Sequence, residues 1–244
     1  MSIGLLGKKL GMTHVYDEYG RRRGVSVIQA GPCTVIELRA KAIQVGFEPM
    51  NESDVTKPRL GQFKKAGVTP FRYVQEFKVP SPAKPSAEGD GEWKVGQQLT
   101  VEMFQQYELV DVAGISVGKG FQGGMKRWHW HGGPKTHGST SHRRVGSIGS
   151  TTTPGRVWKG HHLPGHMGSD RVTVQNVRIA RLDVANNLLL LEGSVPGPEQ
   201  ALVWVTKSMK RPGVLRKPQA FQTVIEDEDE KLNKNAKAAK AKKA

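Results

Sequence analysis

"RVTVQNVRIARLDV", Arg171 to Val184, is the stretch on which the fold turns. Its aliphatic residues alternate as a half-buried strand requires, but the alternation breaks in the middle. Val172 and Val174 share one parity, while Val177 and Ile179 share the other. Strand side chains point to opposite faces with period two, so one extra residue is needed to keep these four on a common buried face. A β-bulge near Gln175-Asn176 supplies that residue.

Runs of the same kind recur on both sides. Downstream are "NNLLLLEGSV" and "ALVWVTK". Upstream, before Val117, are "VSVIQA", "CTVIEL", "AIQVGF", "RYVQEFKV", "QLTVEM" and "LVDVAG", rich in Val and Ile and separated by Gly, Pro, Asn and Asp turns. Many short strands and few helical patterns predict a mainly β fold, either a closed barrel or a sandwich. One short helix is predicted in "KPRLGQFKKAG", stopped at Gly67. "PSPAKPSAEGDGE" (Pro80 to Glu92) reads as an exposed loop. Cys33, in a strand-like run, and Trp204 are expected in the core.

The global charge narrows the function. Lys and Arg number 37 against 22 Asp and Glu, a formal net charge of +15 over 244 residues. A compact state with this imbalance repels itself, so an anionic partner is expected: nucleic acid, an anionic membrane surface or an acidic protein. The single cysteine excludes an intramolecular disulfide and a cysteine-built zinc site, and fits a reducing compartment. No apolar run approaches the roughly 20 residues of a membrane span, and no signal peptide is read, so a soluble intracellular protein without a membrane partner is expected.

Between the two β blocks, from Gly118 to about Ser169, the strand pattern disappears. From Lys119 through Arg171 there are nine Lys and Arg and one acid, Asp170, together with seven of the eight histidines. Such a segment cannot bury enough apolar surface to offset its ordering entropy. A loop of this length inside a compact domain implies a function or a partner that orders it.

Three readings compete for it. Gly118-x-Gly120-x-x-Gly123 satisfies the glycine fingerprint of a dinucleotide loop, but that motif needs a following helix and an acid about 20 residues on. Clustered Gly and Pro stand where the helix must run, and "STSHRRVG" is basic, so no cofactor is expected. His129-x-His131 and His161-His162-x-x-x-His166 have spacings that suit a metal. No cysteine and almost no acid lies nearby to complete or orient such a site, so none is expected. The scarcity of acids also argues against an enzyme, and with it a small-molecule substrate: Ser139, Ser141 and His142 lack an orienting acid. A polyanion uses every feature. Arg and Lys neutralise phosphates, aromatic and imidazole faces stack on bases, and glycines bring backbone N–H groups to phosphate oxygens. Glycines and prolines make a helical reader of the DNA major groove unsuitable, whereas an irregular extension suits folded RNA.

Five stretches carry a more specific resemblance: "IGLLGKKLGMTHVYDEYG", "VTKPRLGQFKKAGV", "GKGFQGGMKRW", "THGSTSHRRVGSIGSTTTPGRVWKGHHLPGHMGSDRVTVQN" and "NNLLLLEGSVPG". In order, from Ile3 to about Lys207, the chain resembles the universal family of large ribosomal subunit protein three in its bacterial form. That resemblance implies a translation-protein-type β-barrel with a long irregular extension between its strands. It implies binding to large-subunit rRNA near its 3′ end, an early role in assembly, and an arm directed toward the peptidyl transferase centre with its tip in "GSIGSTTTPG". It also implies contacts with neighbouring ribosomal proteins and a cytoplasmic, ribosomal location. Many bacterial relatives carry a methylated glutamine where Thr152 stands, so that modification is not expected here.

The domains are read as a discontinuous barrel (1–117 with 170–212), the extension (118–169), and a low-complexity tail (213–244) that is either solvated and mobile or helical on an anionic surface. Phosphate contacts are expected from Lys119, Lys126, Arg127, Lys135, Arg143, Arg144, Arg156, Lys159 and Arg171. His129, His131, His137, His142, His161, His162 and Trp158 are expected to add aromatic contacts. Trp128 either does the same, anchors the arm, or packs on the barrel. Thr151, Thr152 and Thr153 supply hydroxyls at the tip. Lys8 and Lys9 with Arg21, Arg22 and Arg23 form a second basic patch expected to touch RNA. The alternative is a different basic nucleic-acid-binding module, such as a chromatin or RNA-processing factor.

Overall fold

A computed structural model describes residues 4–39, 41–78 and 93–218. The Pro80–Glu92 loop lies outside them. In chain order the strands are β1 (Gly4–Tyr16), β2 (Arg22–Ala30), β3 (Cys33–Arg39), β4 (Ala42–Pro49), β5 (Phe71–Lys78), β6 (Gln98–Leu99), β7 (Leu109–Ile115), β8 (Gly120–Gln122), β9 (Gly165–Met167), β10 (Arg171–Asp183), β11 (Leu188–Glu192) and β12 (Leu202–Lys207). Two helices join them, α1 (Lys57–Ala66) and α2 (Gly124–Trp128). Six strands close into a barrel in the order β1-β12-β7-β10-β11-β2, with β2 pairing back to β1. A second antiparallel sheet, β5-β4-β3-β6, packs beside it.

The parity break resolves as the pattern requires. The pairing of β10 with β7 shifts register between Val174 and Val177. Asn176 takes a positive φ of 57°, a conformation to which asparagine is better suited than most residues. Asp111, only 5% exposed on β7, accepts the Asn176 N–H on Oδ1 (2.8 Å) and the Met209 N–H on Oδ2 (3.2 Å). The Ser208 hydroxyl donates to Asn176 Oδ1 at 2.6 Å. The bulge therefore re-aims Val177 and Ile179 into the core. Val174 packs against that core from its edge, and Val172 is 41% exposed because β10 there runs past the core toward the central segment.

The barrel interior is built from Leu5, Ile28, Val110, Val112, Val203 and Val205; Leu6, on the opposite face of β1, joins Val35, Ile43 and Val45 of the second sheet in the same cluster. Each such side chain, fully buried, contributes about 1.5–3 kcal/mol. Cys33 is part of this cluster, while Trp204 packs on its margin. Helix α1 covers a small satellite of Ile36, Phe63 and Phe71, and Gly67 ends it with a φ of 66°.

Two expectations change, and β1 is a strand that the alternation does not announce. "QLTVEM" is only partly strand: β6 gives way to a 3₁₀ turn at Val101–Met103. The long strand β1 carries no clean alternation, because Gly4, Gly7 and Gly11 interrupt it. At Gly7 a Cβ would come within 2.7 Å of the Gln29 carbonyl oxygen, so the close approach of β2 requires glycine there. The chain after Lys210 also stays on the barrel for some residues. Leu215 bridges to Glu108, and the Arg216 N–H donates to the Tyr107 carbonyl at 2.8 Å. Residues 219–244, the rest of the tail, lie outside the described part. Among the described residues no helix is long and apolar enough to cross a membrane.

Candidate nucleic-acid interface

The central segment leaves the barrel where β7 ends and returns where β10 begins, with Ile115 and Arg171 paired across the exit. Backbone hydrogen bonds carry the pairing outward: Ser116 N–H to Asp170 O (2.9 Å), Ser169 N–H to Ser116 O (3.2 Å) and Lys119 N–H to Met167 O (2.9 Å). Strands β8 and β9 extend it as a two-stranded ribbon. The segment is thus an arm of two limbs with a paired neck.

A short helix does follow Gly123, contrary to the expectation that clustered glycines would forbid one. It is a single turn, α2, whose start is set by the Gly123 carbonyl accepting from Lys126 and Arg127. His129, at a φ of 60°, ends it. Five residues without a subsequent acid do not make a dinucleotide fold. The turn places Trp128 against the returning limb. Its indole stacks on the His162 ring, and its Nε1–H donates to the Leu163 carbonyl at 2.9 Å. Arg127 donates to the same carbonyl from Nη1 (2.9 Å) while its guanidinium lies 5.0 Å from the Trp128 ring. Trp128 is therefore a clamp within the arm and does not pack on the barrel. Gly124 lies directly under the Trp130 ring, where any Cβ would collide with it.

Past this clamp, every residue from 140 to 160 is exposed. Lys119, Lys126, Lys135, Arg143, Arg144, Arg156 and Lys159 are exposed, and none has an acidic partner within salt-bridge distance among the described residues. Trp158 is 61% exposed, with Arg156 4.9 Å from its ring. His129, His131, His137, His142 and His161 are exposed, as are Thr151, Thr152 and Thr153 at the tip. Arg171 sits at the foot of the arm over the Trp204 ring, 5.2 Å from its centroid. Among the described residues no three His, Cys, Asp or Glu side chains converge as a metal site would need.

The proposed second basic patch is divided. Lys8 and Lys9 face Gln29 and Ile28, whereas Arg22 and Arg23 face Tyr16 and Val15 at the far end of the same hairpin, roughly 20–25 Å away at a strand's rise per residue. Lys9 is buried and donates to the carbonyls of Val195 (2.9 Å) and Gly197 (3.0 Å). Lys8 pairs with Glu48 at 2.7 Å. Arg21 is half-buried, Arg22 lies against His14, and Arg23 reaches Asp17 and Glu192. Burial raises the Asp17 pKa, but N–H bonds from Arg21 and Tyr19 and the charge of Arg21 outweigh it and hold the carboxyl below its usual range.

Sequence reasoning missed Phe121, which stands 77% exposed on β8 beside the arm's cations. Its signal was an aromatic residue isolated among glycines in "GKGFQGG". Trp130, one of the aromatic faces that the sequence offers to unpaired bases, lines a hollow of about 720 Å³ in the arm together with Arg144 and His161.

An arm of exposed cations and aromatic rings, almost free of acids, thus rises from a closed barrel. The profile of the family described as ribosomal protein L3 matches residues 92–187, which contain the whole arm and the strands that hold it. Over 215 residues the chain is 41% identical to the large ribosomal subunit protein uL3 of Brachyspira pilosicoli, an alignment that covers 86% of this chain and 95% of that protein. It is 46% identical over 214 residues to the large ribosomal subunit protein uL3 of Corynebacterium jeikeium strain K411, covering 85% and 94%. The chain belongs to the ribosomal protein L3 family. Membership makes it a structural ribosomal protein rather than an enzyme, in keeping with an arm whose side chains offer charge and stacking faces and no acid–base pair.

Proposed function

We propose that the chain is a structural constituent of the cytoplasmic large ribosomal subunit. In this reading the arm binds large-subunit rRNA near its 3′ end, enters the particle early in assembly, and points its tip toward the peptidyl transferase centre. The observation that carries the reading is the arm's seven exposed Lys and Arg without an acidic partner among the described residues. Charges of one sign held together cost free energy that a phosphate-lined crevice offsets, and counterion release drives the association. Phe121, Trp158 and the histidines add faces for unpaired bases. The barrel supplies a rigid base and a surface for neighbouring ribosomal proteins.

The test is co-sedimentation of the full chain with large subunits through a high-salt wash, compared with a chain in which Arg143, Arg144, Arg156 and Lys159 are all Gln. Retention of the first and loss of the second supports the reading. Equal loss of both would favour a nucleic-acid-binding module that works outside the ribosome.

A further inference from the structure

A cleft of about 590 Å³ opens on the barrel wall beside the β10 bulge, bordered by Arg21, Arg23, Arg178, Arg216, Lys217 and Glu192. Glu192 is the one carboxylate in its lining, and two guanidiniums share it: Arg178 Nε at 2.6 Å and Arg23 Nη1 at 3.4 Å, the latter guanidinium also reaching Asp17 from Nε at 3.5 Å. Arg178, with its side chain only 11% exposed, also donates to the Arg216 carbonyl at 3.1 Å, which fastens the chain leaving the barrel to the cleft wall. Arg216 and Lys217 have no acidic partner within salt-bridge distance among the described residues. The lining thus carries an excess of cations, some of them partly withdrawn from water, where an anion counts for more than on an open surface.

The sequence places the missing charge close by. Pro218, the last described residue, is buried in this same cleft. Eight residues later comes Glu226-Asp227-Glu228-Asp229-Glu230, five of the chain's 22 acids in a row. An eight-residue connection spans at most about 29 Å, so the run begins within reach of the arginines. A tether this short gives an effective concentration on the order of millimolar. The arm is the competing basic surface, but it starts near Arg171, roughly 20 Å farther along β10 than Arg178.

We propose that this acidic run docks into the cleft of its own chain, with its carboxylates pairing to Arg23, Arg178 and Arg216. Docking closes the charge deficit beside Glu192 and leaves the arm as the uncompensated basic surface.

The experiment uses the full chain. Cys33 is buried and resists labelling, so Asn233→Cys carries a nitroxide three residues beyond the run. The expected result is selective loss of amide signal intensity at Asn176, Arg178 and Gly193, with Gly146 and Gly149 in the arm unaffected. In a second chain that also carries E226Q, D227N, E228Q, D229N and E230Q, the intensities at those three positions recover. Unchanged barrel signals elsewhere report that the neutralised chain is folded. R216Q with K217Q should weaken the effect in the chain with its acids intact. Broadening that persists after neutralisation, that maps to the arm, or that is absent everywhere overturns the proposal. So does a cleft whose Arg178 and Arg216 guanidinium signals ignore neutralisation of the run but shift on addition of a short single-stranded RNA, which would mark it as an RNA site instead.

Discussion

The Trp128 indole lies flat on the His162 imidazole, ring centroids 4.0 Å apart and planes 5° from parallel. The pair joins the outgoing limb of the arm to the returning one across 34 residues of sequence, and the Trp128 N–H bond to Leu163 locks it. A stacked pair contributes about 0.5–1.5 kcal/mol beyond its burial. In Trp128→Ala the limbs part above the ribbon, and in the proposed function RNA would supply the ordering that the clamp now provides. Affinity for large-subunit rRNA should fall about tenfold, equivalent to ~1.4 kcal/mol, while the thermal midpoint of the barrel stays unchanged. Amide exchange at Trp130 and Gly133 should accelerate. Unaltered exchange there would show that the stack does not hold the arm.

The basic residues separate into two experimental classes. Each phosphate neutralised contributes about 0.7–0.9 to the slope of log K against log salt. Arg143→Gln with Arg144→Gln should therefore flatten that slope by about 1.4–1.8. Lys9→Met should leave the slope alone and act on stability, because the carbonyls of Val195 and Gly197 lose their donor. The cost of unpaired buried acceptors is about 1–3 kcal/mol, seen as a lower denaturation midpoint. A Lys9 variant with wild-type stability and a flattened slope would reverse the assignment.

These classes show what the sequence can convey. The bulge was legible because Val172, Val174, Val177 and Ile179 break parity locally. Closure of the barrel was legible only through the family resemblance and not in the residue pattern, because β1 pairs with residues about 200 positions away and its glycines serve neighbours that only the fold supplies. The arm was legible from its charge and lack of aliphatics. Lys9 was misread for the complementary reason: a lysine in a Gly-rich run looks solvated until Val195 and Gly197 are folded against it. The α2 turn escaped because one turn of helix, held by the Gly123 carbonyl and the Trp128 clamp, has too few residues to leave a periodicity.

Asp111 should be the most sensitive polar position of the barrel. It is the acceptor for the N–H groups of both Asn176 and Met209, so it fixes the bulge and the exit of the chain after β12 together. Asp111→Ala strands two donors in a buried setting, at about 1–3 kcal/mol for each. For a domain of this size each kcal/mol lowers the midpoint by about 2–4 °C. Thermal unfolding of the variant should show a drop beyond that of Lys9→Met. A shift of under a degree would mean that the bulge is specified by packing alone.

Cys33 supplies a pH signature. Burial pushes its thiol up to about 12. A cysteine in the unfolded chain ionises near 8.5. Below that value thiol is protonated in both states and adds no pH dependence. Above it the unfolded chain releases the proton and the folded chain keeps it, so stability falls as pH rises until the folded thiol itself ionises. The loss approaches 1.36 kcal/mol per pH unit across this window. Urea denaturation of wild type and Cys33→Ala, each followed from pH 8 to pH 10.5, isolates the contribution as the difference in slope, whatever the fixed cost of the truncation. A steeper decline in the wild type is expected. At pH 8 a thiol reagent should modify the native protein at least about 10³ times more slowly than the unfolded chain, because reaction waits on an opening of the β3 edge of the core. Parallel slopes together with rapid native labelling would place the sulfur in water and contradict the core described above.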